Sequence, residues 1–162
     1  MSFYKDKIVH KTKCGTVEAT LVDRENGIYK LDSFFWYTVQ FKGNECRFEI
    51  EPGFYTNFAT LPLKIKEFLN PTSKGFLAAS TVHDYILNEF KHFQPNLKRT
   101  FFLNGENRVL GDYFDWDQAA DIFIEIMKAE KAFNFFVRWV ILICVKIWAR
   151  LDPETKHRFL HR

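Results

Sequence analysis

Gly75–His92, GFLAASTVHDYILNEFKH, holds the only adjacent His–Asp pair in the chain, His83–Asp84. Phe76, Ala79, His83, Ile86 and Phe90 recur at steps of three and four, so they share one face of a helix. Gly75 and the preceding Pro71-Thr72-Ser73 suit a helix start, and Pro95 marks its end. The pattern predicts an amphipathic helix with His83 on the apolar stripe and Asp84 about 100° round from it, near Ser80 and Leu87. An inward imidazole needs a partner for each ring nitrogen, because burying an unpaired polar group costs free energy. The expected partner is a carboxylate from another element. Their meeting would join the connector before the helix to the helical half that follows.

Working back from this helix, residues 7–51 read as strands. Lys7–Lys13 comes first, and in Thr16–Val22 the residues Val17, Ala19 and Leu21 alternate with polar ones. Asn26-Gly27 predicts a tight hairpin, since both positions accept positive φ, and Ile28–Leu31 returns from it. Phe34–Phe41, FFWYTVQF, is aromatic and β-branched, the composition of a central strand. Gly43-Asn44 turns the chain, and Cys46, Phe48 and Ile50 then alternate with charged residues. The expectation is a small, largely antiparallel sheet of four to five strands. Pro52-Gly53 closes it. Phe54–Pro62 connects sheet to helices, with Thr56, Asn57 and Thr60 offering short groups that cap turns. Leu63–Leu69 reads as a short helix.

Working forward, Phe101–Leu103, Asn104-Gly105 and Val109-Leu110 predict a short hairpin inserted between helices. Phe101 and Phe102 would either cover a pocket mouth or pack the flap on the body. Asp115–Lys131 is the next helix, with Asp115 or Asp117 in the N-terminal turn, where a carboxylate meets orphan amides. Ala120, Phe123 and Met127 form its packing face, with Ile124 and Ile126 beside it. Phe133–Leu151 is the last helix. Its apolar centre, Trp139–Trp148, is too short to span a bilayer. Phe136, Trp139, Ile143 and Ile147 make one stripe, which Ile141, Leu142 and Val145 extend. A helix apolar on several sides is expected at the centre of a domain. The alternatives are a face for a partner subunit or a membrane surface.

Length and composition bound the function. With 162 residues, 47% hydrophobic and 19 of them Phe, the chain has the material for one packed domain. The expected division is a mainly β part over residues 1–52 and a mainly α part over 53–162, with the hairpin near 99–110. A net charge of +3 with interspersed signs leaves no nucleic-acid footprint. The basic residues 153–162 read as a solvated tail. Cys14, Cys46 and Cys144 have no CxxC spacing, which argues for reduced thiols rather than disulfides or a zinc ribbon. MSFYKDKIVH lacks an apolar h-region, so synthesis and folding are expected in a cytoplasm.

The connector's Thr56, Asn57, Phe58, Ala59, Thr60 and Pro62 resemble the TDFAS-x-P motif of a phage and prophage family, domain of unknown function 1353. His83-Asp84-Tyr85-Ile86-Leu87 is similar to that family's HDYLY. Ala119–Met127 is similar to its AD-x-x-F-x-x-A-M helix, and the stretch around Trp139–Trp148 to its apolar W-x-x-x-x-A-V helix. The resemblance covers residues 48–150, and it is the order and spacing of the motifs that make it specific. It implies binding residues Thr56, Asn57, Thr60 and Tyr85, and a phage or prophage accessory protein, in the host cytoplasm on synthesis or in the virion. Two positions depart from the pattern. Residue 57 is Asn where the family has Asp. The third motif's Asp slot is Ala120, with Asp121 one step on and Asp117 one turn earlier.

A His-Asp pair facing an Asp on an antiparallel helix also resembles the core of small calcium-dependent secreted phospholipases. That likeness would make His83 the base, Asp84 the calcium ligand, and Asp121 or Asp117 the group that orients the imidazole. A glycine-rich calcium loop and disulfides are missing from the sequence. The fold expected is therefore α+β: an N-terminal antiparallel sheet, then a helical half with the His-Asp helix and an inserted hairpin. The role expected is protein–protein binding or self-association without a cofactor, as a virion or tail-associated structural or assembly component. Aromatic richness and the over-apolar last helix favour such a surface. The competing role is a metal-assisted hydrolase using a divalent cation such as calcium.

Overall fold

Period-two alternation produces the strands where the sequence places it. The computed structural model describes residues 5–58 and 75–151. Among them are β1 (Lys7–Lys11), β2 (Thr16–Asp23), β3 (Ile28–Leu31), β4 (Phe35–Phe41), β5 (Asn44–Ile50), β6 (Tyr55–Thr56), β7 (Thr100–Leu103) and β8 (Glu106–Val109). The helices are α1 (Phe76–Leu87), α2 (Trp116–Ala129) and α3 (Phe135–Arg150). Thr60, the helix read at Leu63–Leu69, the turn at Pro71-Thr72-Ser73 and the basic residues 153–162 lie outside the described residues.

The fold is α+β, but the strands form two antiparallel four-stranded sheets rather than one. The first runs β1-β2-β3-β6 and the second β4-β5-β7-β8. The division falls after Leu31, where the chain leaves β3 and begins β4 in the other sheet. The inserted hairpin is present and belongs to the second sheet, with β7 paired to β5. Phe101 is buried and its ring stacks on Phe48 at 5.9 Å, so the hairpin packs on the body.

Turn chemistry explains the registers. Asn104-Gly105 joins β7 to β8 with φ of 50° and 83°, the mirror-image turn whose twist suits a hairpin. The β4–β5 turn uses Lys42-Gly43, with φ of 50° and 76°, one residue earlier than Gly43-Asn44. Asn44 is already paired with Phe41. At Asn26-Gly27 only Gly27 has positive φ. Instead the Asp23 carboxylate accepts from Asn26 N and Nδ2, and the register shifts between Leu21 and Asp23. A wider turn held by a side chain replaces the tight one.

The helices reverse the expected roles. Helix α1 is not amphipathic: every residue from Phe76 to Ile86 is buried. Ala78, Ala79, Ser80 and Thr81 are small, which lets neighbouring elements close on it from all sides. It ends at Leu87 rather than near Pro95, so Phe90 is not on it. Asn88 adopts the left-handed conformation there, φ 54°, and the Arg99 guanidinium donates to the carbonyls of Tyr85 and Ile86 at 2.9 and 2.6 Å. Helix α2 starts with a capping box between Asp115 and Gln118 and packs against α1, α3 and β4. Helix α3, read as central, buries Ile141 and Val145 but leaves Phe135, Phe136, Trp139, Ile143 and Ile147 exposed. The stripe that marked it as a core helix faces outward. No helix among the described residues is long and apolar enough to cross a membrane. Buried apolar residues from both sheets and all three helices form one cluster, with α1 inside it.

Candidate functional site

The His-Asp pair lies in the middle of α1, and neither side chain meets solvent: His83 and Asp84 are both 0% exposed. Asp84 Oδ2 accepts a hydrogen bond from Thr56 Oγ1 at 2.6 Å and another from Asn57 N at 3.3 Å. Thr56 Oγ1 in turn accepts from Phe58 N at 3.1 Å. Thr56 ends β6, which pairs with β3, so this carboxylate ties the buried helix to the first sheet. Asn57 makes that contact with its main-chain N–H, which Asp or Asn supplies equally.

His83 packs edge-on against Phe123 of α2, with ring centroids 5.8 Å apart. Ser80, one turn earlier on α1, is also fully buried, and its hydroxyl has no hydrogen-bond partner among the described residues. Tyr85 is buried on the same helix. Its hydroxyl donates to Thr100 O at 3.0 Å and accepts from Thr100 N at 3.1 Å, binding α1 to β7.

The two carboxylates expected to orient His83 are engaged elsewhere. Asp117 forms a two-point ion pair with Arg150, at 2.7 and 2.9 Å, and Asp121 pairs with Lys146 at 3.0 Å. Both are partly exposed along the α2–α3 seam, and no described hydrogen bond or ion pair joins either to His83. The helical phase explains this: Phe123 points at α1, so Asp121, two residues back, points away.

The calcium role assigned to Asp84 needs several oxygen ligands around one cation. Thr56 and Asn57 instead present protons to Oδ2. Among the described residues no group of three His, Cys, Asp or Glu side chains is placed to hold a metal. The described contacts of Oδ2 tie the helix to the connector.

These contacts lie within the stretch shared with a known family. A family model matches residues 30–145, from β3 to the buried turn of α3. The chain belongs to that family, described as a protein of unknown function (DUF1353). Neither the curated proteins nor the solved structures returned a match to this chain. In this DUF1353 chain the motif residues Thr56, Asn57, Asp84 and Tyr85 are all contact-making, and the first three meet at one point. Thr60 falls outside the described residues.

Phe58 belongs to the same junction and was legible only as part of the motif. It holds a left-handed φ of 51°, rare for a bulky residue, while its buried ring packs 5.0 Å from Tyr29.

A second polar junction had no sequence signature. The Tyr37 hydroxyl donates to Glu130 Oε1 at 2.7 Å, and Lys13 N donates to the same oxygen at 3.0 Å. Burial, then the hydrogen bond to Glu130, pushes the Tyr37 phenol well above the usual tyrosine range, and burial also raises Tyr85. A phenol that keeps its proton in the fold but loses it in the unfolded chain stabilises the unfolded state at alkaline pH. Stability is therefore fully present below about pH 10 and falls as pH rises above it. Absorbance titration is expected to find Tyr37 and Tyr85 among the late phenols, with Tyr37→Phe and Tyr85→Phe each removing one. Titration of all the tyrosines together would contradict this.

Proposed function

We propose that this DUF1353 chain acts by binding another protein, as a phage or prophage accessory protein with a structural or assembly role in the virion or its tail. The observation that supports binding is the exposed apolar stripe of α3, from Phe135 to Ile147. Continuous apolar surface of this kind is kept away from water unless something docks on it. The phage association rests on the resemblance of the connector and helix motifs. The competing hydrolase would need substrate to reach an imidazole that is fully buried against Phe123.

His83→Ala tests the choice. The variant is expected to lower stability by about 2–4 kcal/mol, the scale for truncating a buried side chain. The purified wild type is expected to show no calcium-dependent cleavage of short-chain or phospholipid esters. An unchanged melting midpoint, together with a calcium-dependent esterase rate that His83→Gln abolishes, would overturn the reading. Mass spectrometry of purified particles tests the virion role: a chain absent from particles and from assembly intermediates would remove it.

A further inference from the structure

We infer that the exposed face of α3 receives a second copy of this chain, the two α3 helices packing antiparallel about a twofold axis. This rests on the binding reading above and names its partner.

Charge supports self-association. Residues 135–150 contain no acid and three basic side chains, Arg138, Lys146 and Arg150. Each is engaged within its own chain: Lys146 with Asp121, Arg138 with the Ala132 carbonyl, and Arg150, 64% exposed at the C-terminal end of the stripe, with Asp117. The stripe between them is uncharged, so a second copy meets it without repulsion. A helix that binds an anionic membrane instead directs its lysines and arginines toward the lipid phosphates.

Area supports it too. Phe135, Phe136, Trp139, Ile143 and Ile147 are 75%, 67%, 51%, 37% and 57% exposed. Since each aromatic side chain can bury about 150–250 Å², the stripe offers on the order of 500 Å² per copy. Two copies would remove about 1,000 Å² from water, the threshold for a specific interface.

Shape fixes the direction. The aromatics Phe135, Phe136 and Trp139 occupy the N-terminal half of the stripe and the slimmer Ile143 and Ile147 the C-terminal half. A twofold axis near Ile141–Leu142 sets Phe136 against Ile147 of the second copy and Trp139 beside Ile143, so large meets small at both ends. Parallel pairing would set aromatic against aromatic and isoleucine against isoleucine. Twofold pairing also makes one patch complementary to itself and opposes the helix dipoles favourably.

Sedimentation equilibrium of the full chain, from micromolar to millimolar, tests this. A monomer–dimer equilibrium is expected. Trp139→Glu and Ile143→Glu should each weaken it by at least about 30-fold, as at an interface hot spot, with melting midpoints kept. Val109→Glu, exposed on β8, should leave it unchanged. A dimer that survives both glutamate variants would overturn the inference, as would a wild type that stays monomeric or that binds phosphatidylserine vesicles instead. For a monomeric wild type, iodide quenching relative to Trp139→Phe separates the two claims. A quenchable Trp139 keeps the binding face and assigns it a different protein. A protected Trp139 means that the chain covers its own stripe, and the binding reading falls as well.

Discussion

Gly75→Ala is expected to lower stability by about 2–5 kcal/mol, combining the left-handed backbone penalty with overpacking at a rigid neighbour. Gly75 precedes α1 with φ 88°, a conformation that side chains disfavour. A Cβ there would stand 2.5 Å from Glu130 Cβ and 3.2 Å from Ala132 Cβ. Glu130 cannot readily move aside, because its carboxylate accepts from both Tyr37 and Lys13 N and its backbone caps α2. For a domain of this size the loss corresponds to a fall of roughly 5–15 °C in Tm. Gly105→Ala separates the two causes. Gly105 has a similar φ of 83° but nothing within 4 Å of the added Cβ, so it reports the backbone penalty alone. Equal Tm losses in the two variants would show that the packing of α1 against the end of α2 is loose.

Asp84→Ala is expected to cost about 3–5 kcal/mol, because it opens a cavity and takes away the acceptor of the buried Thr56 hydroxyl and of the part-buried Asn57 N–H. Asp84→Asn keeps an acceptor oxygen in place and should lose less. Thr56→Val removes both the donor to Asp84 and the acceptor of Phe58 N, and should cost about 1–3 kcal/mol. Chemical denaturation of the two single variants and of Asp84→Ala/Thr56→Val gives their coupling. A coupling near zero would mean that the 2.6 Å contact contributes nothing to holding α1 on the first sheet. If Asp84→Asn melts with the wild type and Asp84→Ala with it, the carboxylate is not a lock at all.

Local patterns were readable wherever local physics dominates. Alternation in Thr16–Val22, Phe34–Phe41 and Cys46–Ile50 marked β2, β4 and β5 to within a residue or two. Asn104-Gly105 marked its hairpin because both residues accept positive φ. Asp115 or Asp117 marked the start of α2 because a carboxylate caps free amides, and Asp115 is the one that caps it. Asn26-Gly27 misled because the Asp23 side chain offers a competing set of hydrogen bonds.

At the site, the His-Asp motif and the Thr-Asn connector could each be picked out from residue types, but not how they meet. The inward imidazole was expected to make the join between connector and helix. Its neighbour Asp84 makes the join in the described contacts, while His83 lies on Phe123. The choice depends on how α1 is rotated about its axis, and that is settled by which side chains fit against β6 and α2. Asp117 and Asp121 could not be told apart as orienting groups from spacing, because their ion pairs with Arg150 and Lys146 come from a helix some 30 residues away.

By itself the amino-acid sequence determined most of the described strands, the Asn104-Gly105 turn, where the described helices lie and the motif set that marks the family, since each depends on neighbours within a few residues. Only the tertiary structure decided that the strands divide into two sheets, that α1 rather than α3 is enclosed, and that an apolar stripe is left on the outside. Two helices of comparable apolarity compete for one interior. The one with small residues, Ala78 to Thr81, can be surrounded closely, whereas the aromatics of α3 hold neighbours off on one side.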